Sequence, residues 1–63
     1  MKAKHIKVGT KIVPKKAYKA KYNKPDVSTI DSISFLGTIH LDNDVFGYTP
    51  DYLCLNYKLY KGI

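Results

Sequence analysis

The chain has 63 residues, one cysteine and a formal net charge of +6. That length supports one domain, residues 1–63, with a small core and a thin stability margin. It leaves little room for the deep cleft of an enzyme or small-molecule site, so neither catalysis, a cofactor, a metal nor a small-molecule substrate is expected. Cys54 has no partner for an internal disulfide, and no apolar run suits a signal segment or a membrane span. A reducing, cytoplasmic setting with no membrane partner is the expectation.

The charge is unevenly placed. Residues 1–25 carry nine lysines and no acid, whereas the remainder carries five aspartates and two lysines. Such asymmetry points to an anionic partner. Every fixed cation is lysine and every acid is aspartate. Lys, Asn, Ile and Tyr share AT-rich codons, so a low-GC coding sequence is a competing source of the lysine excess.

Along the chain, residues 6–13 alternate. Ile6, Val8, Thr10 and Ile12 fall on one face and Lys7, Gly9 and Lys11 on the other, which predicts a strand with a bend at Gly9. The segment at 14–26, PKKAYKAKYNKPD, is longer than most strand connections and predicts a basic Lys/Tyr loop. A short helix opened by Pro14 and ended by Pro25 is the alternative there. Residues 28–36 are ambiguous. Ser28 and Gly37 are placed as helix caps, but the Ser/Thr/Ile content favours a strand starting near Ile30. As a strand, Val27, Thr29, Asp31, Ile33 and Phe35 share a face, on which Asp31 is out of place. TIHL at 38–41 and VFGYT at 45–49 predict a hairpin turned by Asp42-Asn43-Asp44. Pro50-Asp51 breaks the second of these strands. The alternation of Leu53, Leu55, Tyr57 and Leu59 with Cys54, Asn56, Lys58 and Tyr60 predicts the final strand. The fold class expected is mainly β, a small barrel of about five short strands.

The opening IKVGTKIVP resembles the first strand of SH3-like and KOW-like barrels, in which a hydrophobic-Gly-Asp/Thr-x-Val step leads into a long basic loop. The closing FGYTPDYLCL resembles their end, where a short turn after Pro leads into the last strand. The resemblance extends to the small SH3-like proteins of bacteriophages. The likeness covers both ends of the chain and leaves the middle uncovered, and Thr10 stands where Asp is common. It implies an SH3-like barrel that binds nucleic acid or nucleic-acid machinery and, for a viral protein, residence in the host cytoplasm.

Function is expected in the basic segment. Lys11, Lys15, Lys16, Lys19, Lys21 and Lys24 would neutralise phosphates, and Tyr18 and Tyr22 would stack on bases. The partner would be RNA or single-stranded DNA, since the absence of Arg argues against bidentate base readout. A solvated loop with no partner is the competing reading of the same residues. The rival function is a small phage-type protein that binds and modulates a host protein or enzyme. Its surface would be formed by Tyr48, Tyr52, Tyr57 and Tyr60 within an acidic rim of Asp42, Asp44 and Asp51. His40, Asp42 and Asp44 lack the spacing of a calcium loop and suit a turn. Cys54 has no activating base in sight and suits a packed thiol.

Overall fold

The computed structural model describes residues 1–61. A 3-10 turn, Ala3–His5, precedes five strands and two helices: β1 Lys11–Pro14, α1 Lys16–Tyr22, β2 Ser28–Ile33, β3 Ile39–Leu41, β4 Gly47–Tyr48, α2 Pro50–Asn56 and β5 Tyr57–Leu59. The strands form one antiparallel sheet in the order β4-β3-β2-β1-β5. It curls into a half-barrel, so the mainly β reading holds. β4 and β5 are the two edges, and α2 runs directly from one to the other.

The core is Ile12, Tyr18, Ile30, Ile39, Leu41, Tyr48, Leu53 and Tyr57, with Met1 and Ile6 packed against it. On β1, β2 and β3 the buried residues recur with period two, as side chains on a pleated strand must. Ile12 alternates with exposed Lys11, and Ser28 and Ile30 flank half-exposed Thr29. This reverses the face expected for β2. The pairs Ile30↔Leu41 and Ser32↔His40 leave Asp31 as the extra residue of a bulge. A bulge breaks the alternation locally, which removes the conflict that Asp31 posed.

The helix alternative at 28–36 is not adopted. After β2 the chain turns at 34–37, closed by the Gly37 amide donating to the Ser34 carbonyl at 2.9 Å. Gly37 has φ +90°, so the glycine expected to cap a helix serves a hairpin turn instead. Phe35 and Leu36 stand at its tip.

The strand expected at 6–13 is confined to its second half. Gly9 has φ +95° and turns the chain, leaving Val8 exposed and Ile6 half-buried. The expected loop at 14–26 is divided. Pro14 belongs to β1, and a helix follows it two residues later than a Pro14 start would place it. Asn23, with φ 52°, ends α1 in the left-handed conformation, and Pro25 follows, a common helix exit.

The final strand is the largest correction. Residues 53–56 are helical, and only Tyr57–Leu59 is strand. Thr49 is the N-cap, its Oγ1 accepting the Tyr52 amide at 3.2 Å, and Pro50 is the first helical residue. Proline fits that position because no intrahelical partner awaits its missing N–H. Pro50 therefore opens a helix rather than only breaking a strand. Cys54 lies in α2, half-buried. The strand expected at 45–49 is reduced to two residues, with Val45 and Phe46 exposed. None of the helices among the described residues is long and apolar enough to cross a membrane.

Candidate nucleic-acid interface

The acid-free N-terminal segment folds into β1 and α1. Lys11 is exposed on β1, and Lys15, Lys16, Lys19 and Lys21 are exposed on and before α1. Among the described residues two lysines form ion pairs, Lys19 with Asp26 and Lys24 with Asp44. The first pair is exposed. Lys11, Lys15, Lys16 and Lys21 keep their charge free for an anionic partner.

Lys24 is placed differently from the expectation. Its side chain is 12% exposed and that of Asp44 is 7% exposed. The ammonium donates to Asp44 Oδ2 at 3.1 Å and to Tyr48 Oη at 2.9 Å. The Tyr48 hydroxyl donates to the same carboxylate oxygen, and the Phe46 amide donates to Asp44 Oδ1 at 2.8 Å. Burial alone would lower the Lys24 pKa, but the hydrogen bond to Asp44 and its charge outweigh it and raise it. Burial alone would raise that of Asp44, but hydrogen bonds from Tyr48, Phe46 and Lys24 hold it below the usual carboxylate value. The pair ties the end of α1 to the β3–β4 connection. Lys24 is thus withdrawn from phosphate contact, and Asp44 from an acidic rim.

Tyr18 is the second departure. It is buried, and only Tyr22 of the two expected stacking rings is open, at 52% exposure. Tyr18 sits at the centre of an aromatic cluster. Its centroid lies 5.0 Å from that of Tyr22, 5.8 Å from Tyr52 and 5.4 Å from Tyr57. Tyr52 stacks on Tyr48 with centroids 5.6 Å apart, and its hydroxyl donates to Tyr18 Oη at 3.1 Å. That hydrogen bond, with partial burial, pushes the Tyr52 hydroxyl up to about 12. Burial and the nearby Tyr48 oxygen push Tyr57 up to about 12 as well. Of the tyrosines expected to form a protein-binding face, Tyr48 and Tyr57 are core residues, Tyr52 is partly covered and Tyr60 is open. Asp42 is occupied in the turn, its Oδ1 accepting the Thr29 amide at 3.0 Å, and Asp51 lies in the first turn of α2.

The arrangement creates a cleft of about 390 Å³ between the end of α1 and the β4–α2 junction. Tyr18 and Tyr48 form its floor with Lys24, while Tyr22, Phe46 and Tyr52 stand around it as partly open rings. The Lys24 ammonium lies 5.8 Å from the Tyr18 centroid, 5.3 Å from Phe46 and 5.5 Å from Tyr48. Lys21 lies 5.3 Å from that of Tyr22. Phe46 and Tyr52 were not expected beside the basic segment. The Thr-Pro pair at 49–50 was the available signal, since a helix capped by Thr49 places Tyr52 in its first turn, above Tyr48.

A second concavity, about 630 Å³, is bordered by Lys2, His5, Lys58, Tyr60 and Lys61. Partial burial and the charges of Lys4, the N-terminus, Lys2 and Lys7 hold the His5 pKa below its ordinary value. Among the described residues no three His, Cys, Asp or Glu side chains are grouped to hold a metal ion. Comparison with family models, with curated proteins and with solved structures returned no match to this chain.

Proposed function

We propose that the protein is a non-catalytic module that binds RNA or single-stranded DNA on the lysine-bearing surface of α1 and β1. One observation carries this reading. The acid-free segment presents Lys11, Lys15, Lys16 and Lys21 exposed and, among the described residues, outside any ion pair, with Lys21 beside the open ring of Tyr22. Lysines without acidic neighbours neutralise phosphates and release counterions, and an exposed tyrosine offers a stacking surface to any base. Tyr18 acts here as a support, and Lys24 makes no phosphate contact.

The test is fluorescence anisotropy of labelled RNA, single-stranded DNA and duplex DNA, titrated with protein at several salt concentrations. Four neutralised phosphates on a single strand correspond to a log–log salt slope of roughly −3. Changing Lys11, Lys15, Lys16 and Lys21 together to Gln should leave the fold unchanged and remove binding. Unchanged affinity in that variant overturns the proposal.

A second reading, a protein-binding module, is favoured by a different observation. Phe35 and Leu36, at the tip of the β2–β3 turn, are 96% and 79% exposed. Open apolar side chains of this size suit a protein contact. A partner retained by the native chain and lost on changing both residues to Ser would support it. Capture of nucleic acid alone would remove it.

A further inference from the structure

We propose that the cleft between α1 and the β4–α2 junction is a base-stacking subsite, in which one base of a single strand lies between Tyr22 and Phe46 and accepts a hydrogen bond from Lys24. This rests on the nucleic-acid reading and deepens it by naming where a base is held and by which side chains.

The walls set the shape of the ligand. Tyr22 and Phe46 are 52% and 62% exposed, large open rings that a flat aromatic group would cover. Base–aromatic stacking is tolerant of sequence, as this kind of binding requires. The volume of about 390 Å³ accommodates one planar ring system and no folded partner.

The floor sets its polarity. Aromatic walls alone would also suit a cationic ligand, which ring faces attract. Here that place is taken. The protein's own Lys24 ammonium sits within 5.3–5.8 Å of the centroids of Tyr18, Phe46 and Tyr48, and a second cation would meet it at short range. A purely aliphatic ligand fits no better. An ammonium carries three N–H donors, and Lys24 uses two of them, on Asp44 and Tyr48. Covering the cleft with aliphatic surface would desolvate the third donor without a partner, a cost that a ring carbonyl avoids. The occupant specified is therefore flat, uncharged and acceptor-bearing. Every nucleobase meets this requirement, through a carbonyl oxygen in uracil, thymine, guanine and cytosine and through ring nitrogens in adenine.

The surroundings set the path of the strand. Tyr22 also borders two adjoining depressions. One runs past Lys21 and Leu55 to Asn56, and the other past Asn43 to Val45. The second also includes exposed Asp42, which disfavours a phosphate there. The phosphate next to the stacked base therefore lies on the α1 side, where Lys21 is exposed and outside any ion pair.

The experiment compares three strands of equal phosphate count, about ten nucleotides long, by anisotropy with the unaltered protein: oligothymidine, oligoadenosine and an abasic strand. Binding of oligothymidine about tenfold tighter than the abasic strand, with a common salt slope, is the expected result. Oligoadenosine, whose ring nitrogens also accept, should likewise exceed the abasic strand. Tyr22→Ala or Phe46→Ala, each at an exposed position, should bring oligothymidine down to the abasic level without changing the abasic affinity. Equal affinity for the abasic strand and oligothymidine overturns the subsite while leaving the lysine surface standing. Unchanged affinity when thymine is replaced by difluorotoluene, a flat isostere with no effective acceptor, overturns the role of Lys24. Failure of all three strands to bind at low salt removes the underlying reading itself.

Discussion

Lys24 illustrates how one side chain can lose its expected role through burial. In the sequence it is one more lysine of a basic run. In the fold it is held by Asp44 and Tyr48 beneath the rings that border the cleft. Removing one partner of such a pair strands the other charge, so Lys24→Ala should destabilise the protein by about 3 kcal/mol in chemical denaturation. Replacing the polar group as a unit, with Lys24→Met, Asp44→Leu and Tyr48→Phe together, should bring stability back to within about 1 kcal/mol of the native chain. A triple variant as unstable as Lys24→Ala would refute this account.

Two further outcomes follow at the same scale. The Tyr57 hydroxyl is buried and has no hydrogen-bond partner among the described residues. Such a group carries a desolvation cost, so Tyr57→Phe should hold or raise stability by about 1 kcal/mol, measured by the same denaturant titration; a clear loss would indicate an unrecognised partner. The pH dependence has two limbs. Asp44 has a lowered pKa in the fold. Its contribution is present above the unfolded carboxylate value near ~3.9 and is lost as pH falls through the folded value. Lys24, raised in the fold, and Tyr52 and Tyr57, pushed up to about 12, behave oppositely. Their contributions are complete below the unfolded values near ~10 and fade as pH rises through the folded ones. Stability measured against pH should therefore fall below about pH 4 and above about pH 10. The triple variant should flatten the acid limb and retain the part of the alkaline limb that belongs to Tyr52 and Tyr57.

At the scale of elements, α2 is the junction between the sheet edges and carries Tyr52 to the cleft. It has seven residues, too short to persist without tertiary support, so its cap matters. Thr49→Ala should cost about 1 kcal/mol and shift the ring signals of Tyr52 and Tyr18 in a proton NMR spectrum. Unmoved rings would mean that packing alone places α2. This helix also marks where the sequence was legible and where it was not. Strand positions at 11–13 and 39–41, the Asp42–Asp44 turn and the bend at Gly9 were readable because period-two burial and backbone permissiveness act locally. The alternation from Leu53 to Tyr60 misled because a short helix with one buried residue, Leu53, imposes almost no helical period on its sequence. Thr49-Pro50 was the stronger local signal. The exposed lysines of the site were legible as charge. Which of them is buried was not, because the Lys24–Asp44 pair spans twenty positions and is created only when β3 and β4 fold back on α1. Phe46 and Tyr52 join Tyr22 by the same long-range closure.

For the molecule as a whole, charge distribution links stability to the proposed binding with opposite signs. Nine of the eleven lysines lie in residues 1–25, and the folded chain has a radius of gyration of 10.7 Å. At ~0.01 M salt the Debye length is about 30 Å, so every exposed lysine repels the others across the molecule. At ~0.1 M it is about 10 Å, comparable to the molecule's own radius. The partly buried Lys24–Asp44 pair is screened less than the exposed lysines, so added salt relieves repulsion faster than it weakens that attraction. The melting temperature should rise over this range by a few degrees, since about 1 kcal/mol corresponds to about 4–8 °C in a domain of this size. Affinity for a single strand should fall over the same range, because the lysines that repel one another are those that release counterions from phosphates. Changing Lys11, Lys15, Lys16 and Lys21 to Gln should reduce both responses together. If the variant loses the salt dependence of melting while its strand affinity keeps the native slope, those lysines shape the fold's electrostatics and the strand is held elsewhere, with the basic concavity bordered by Lys2, Lys58 and Lys61 the next surface to change.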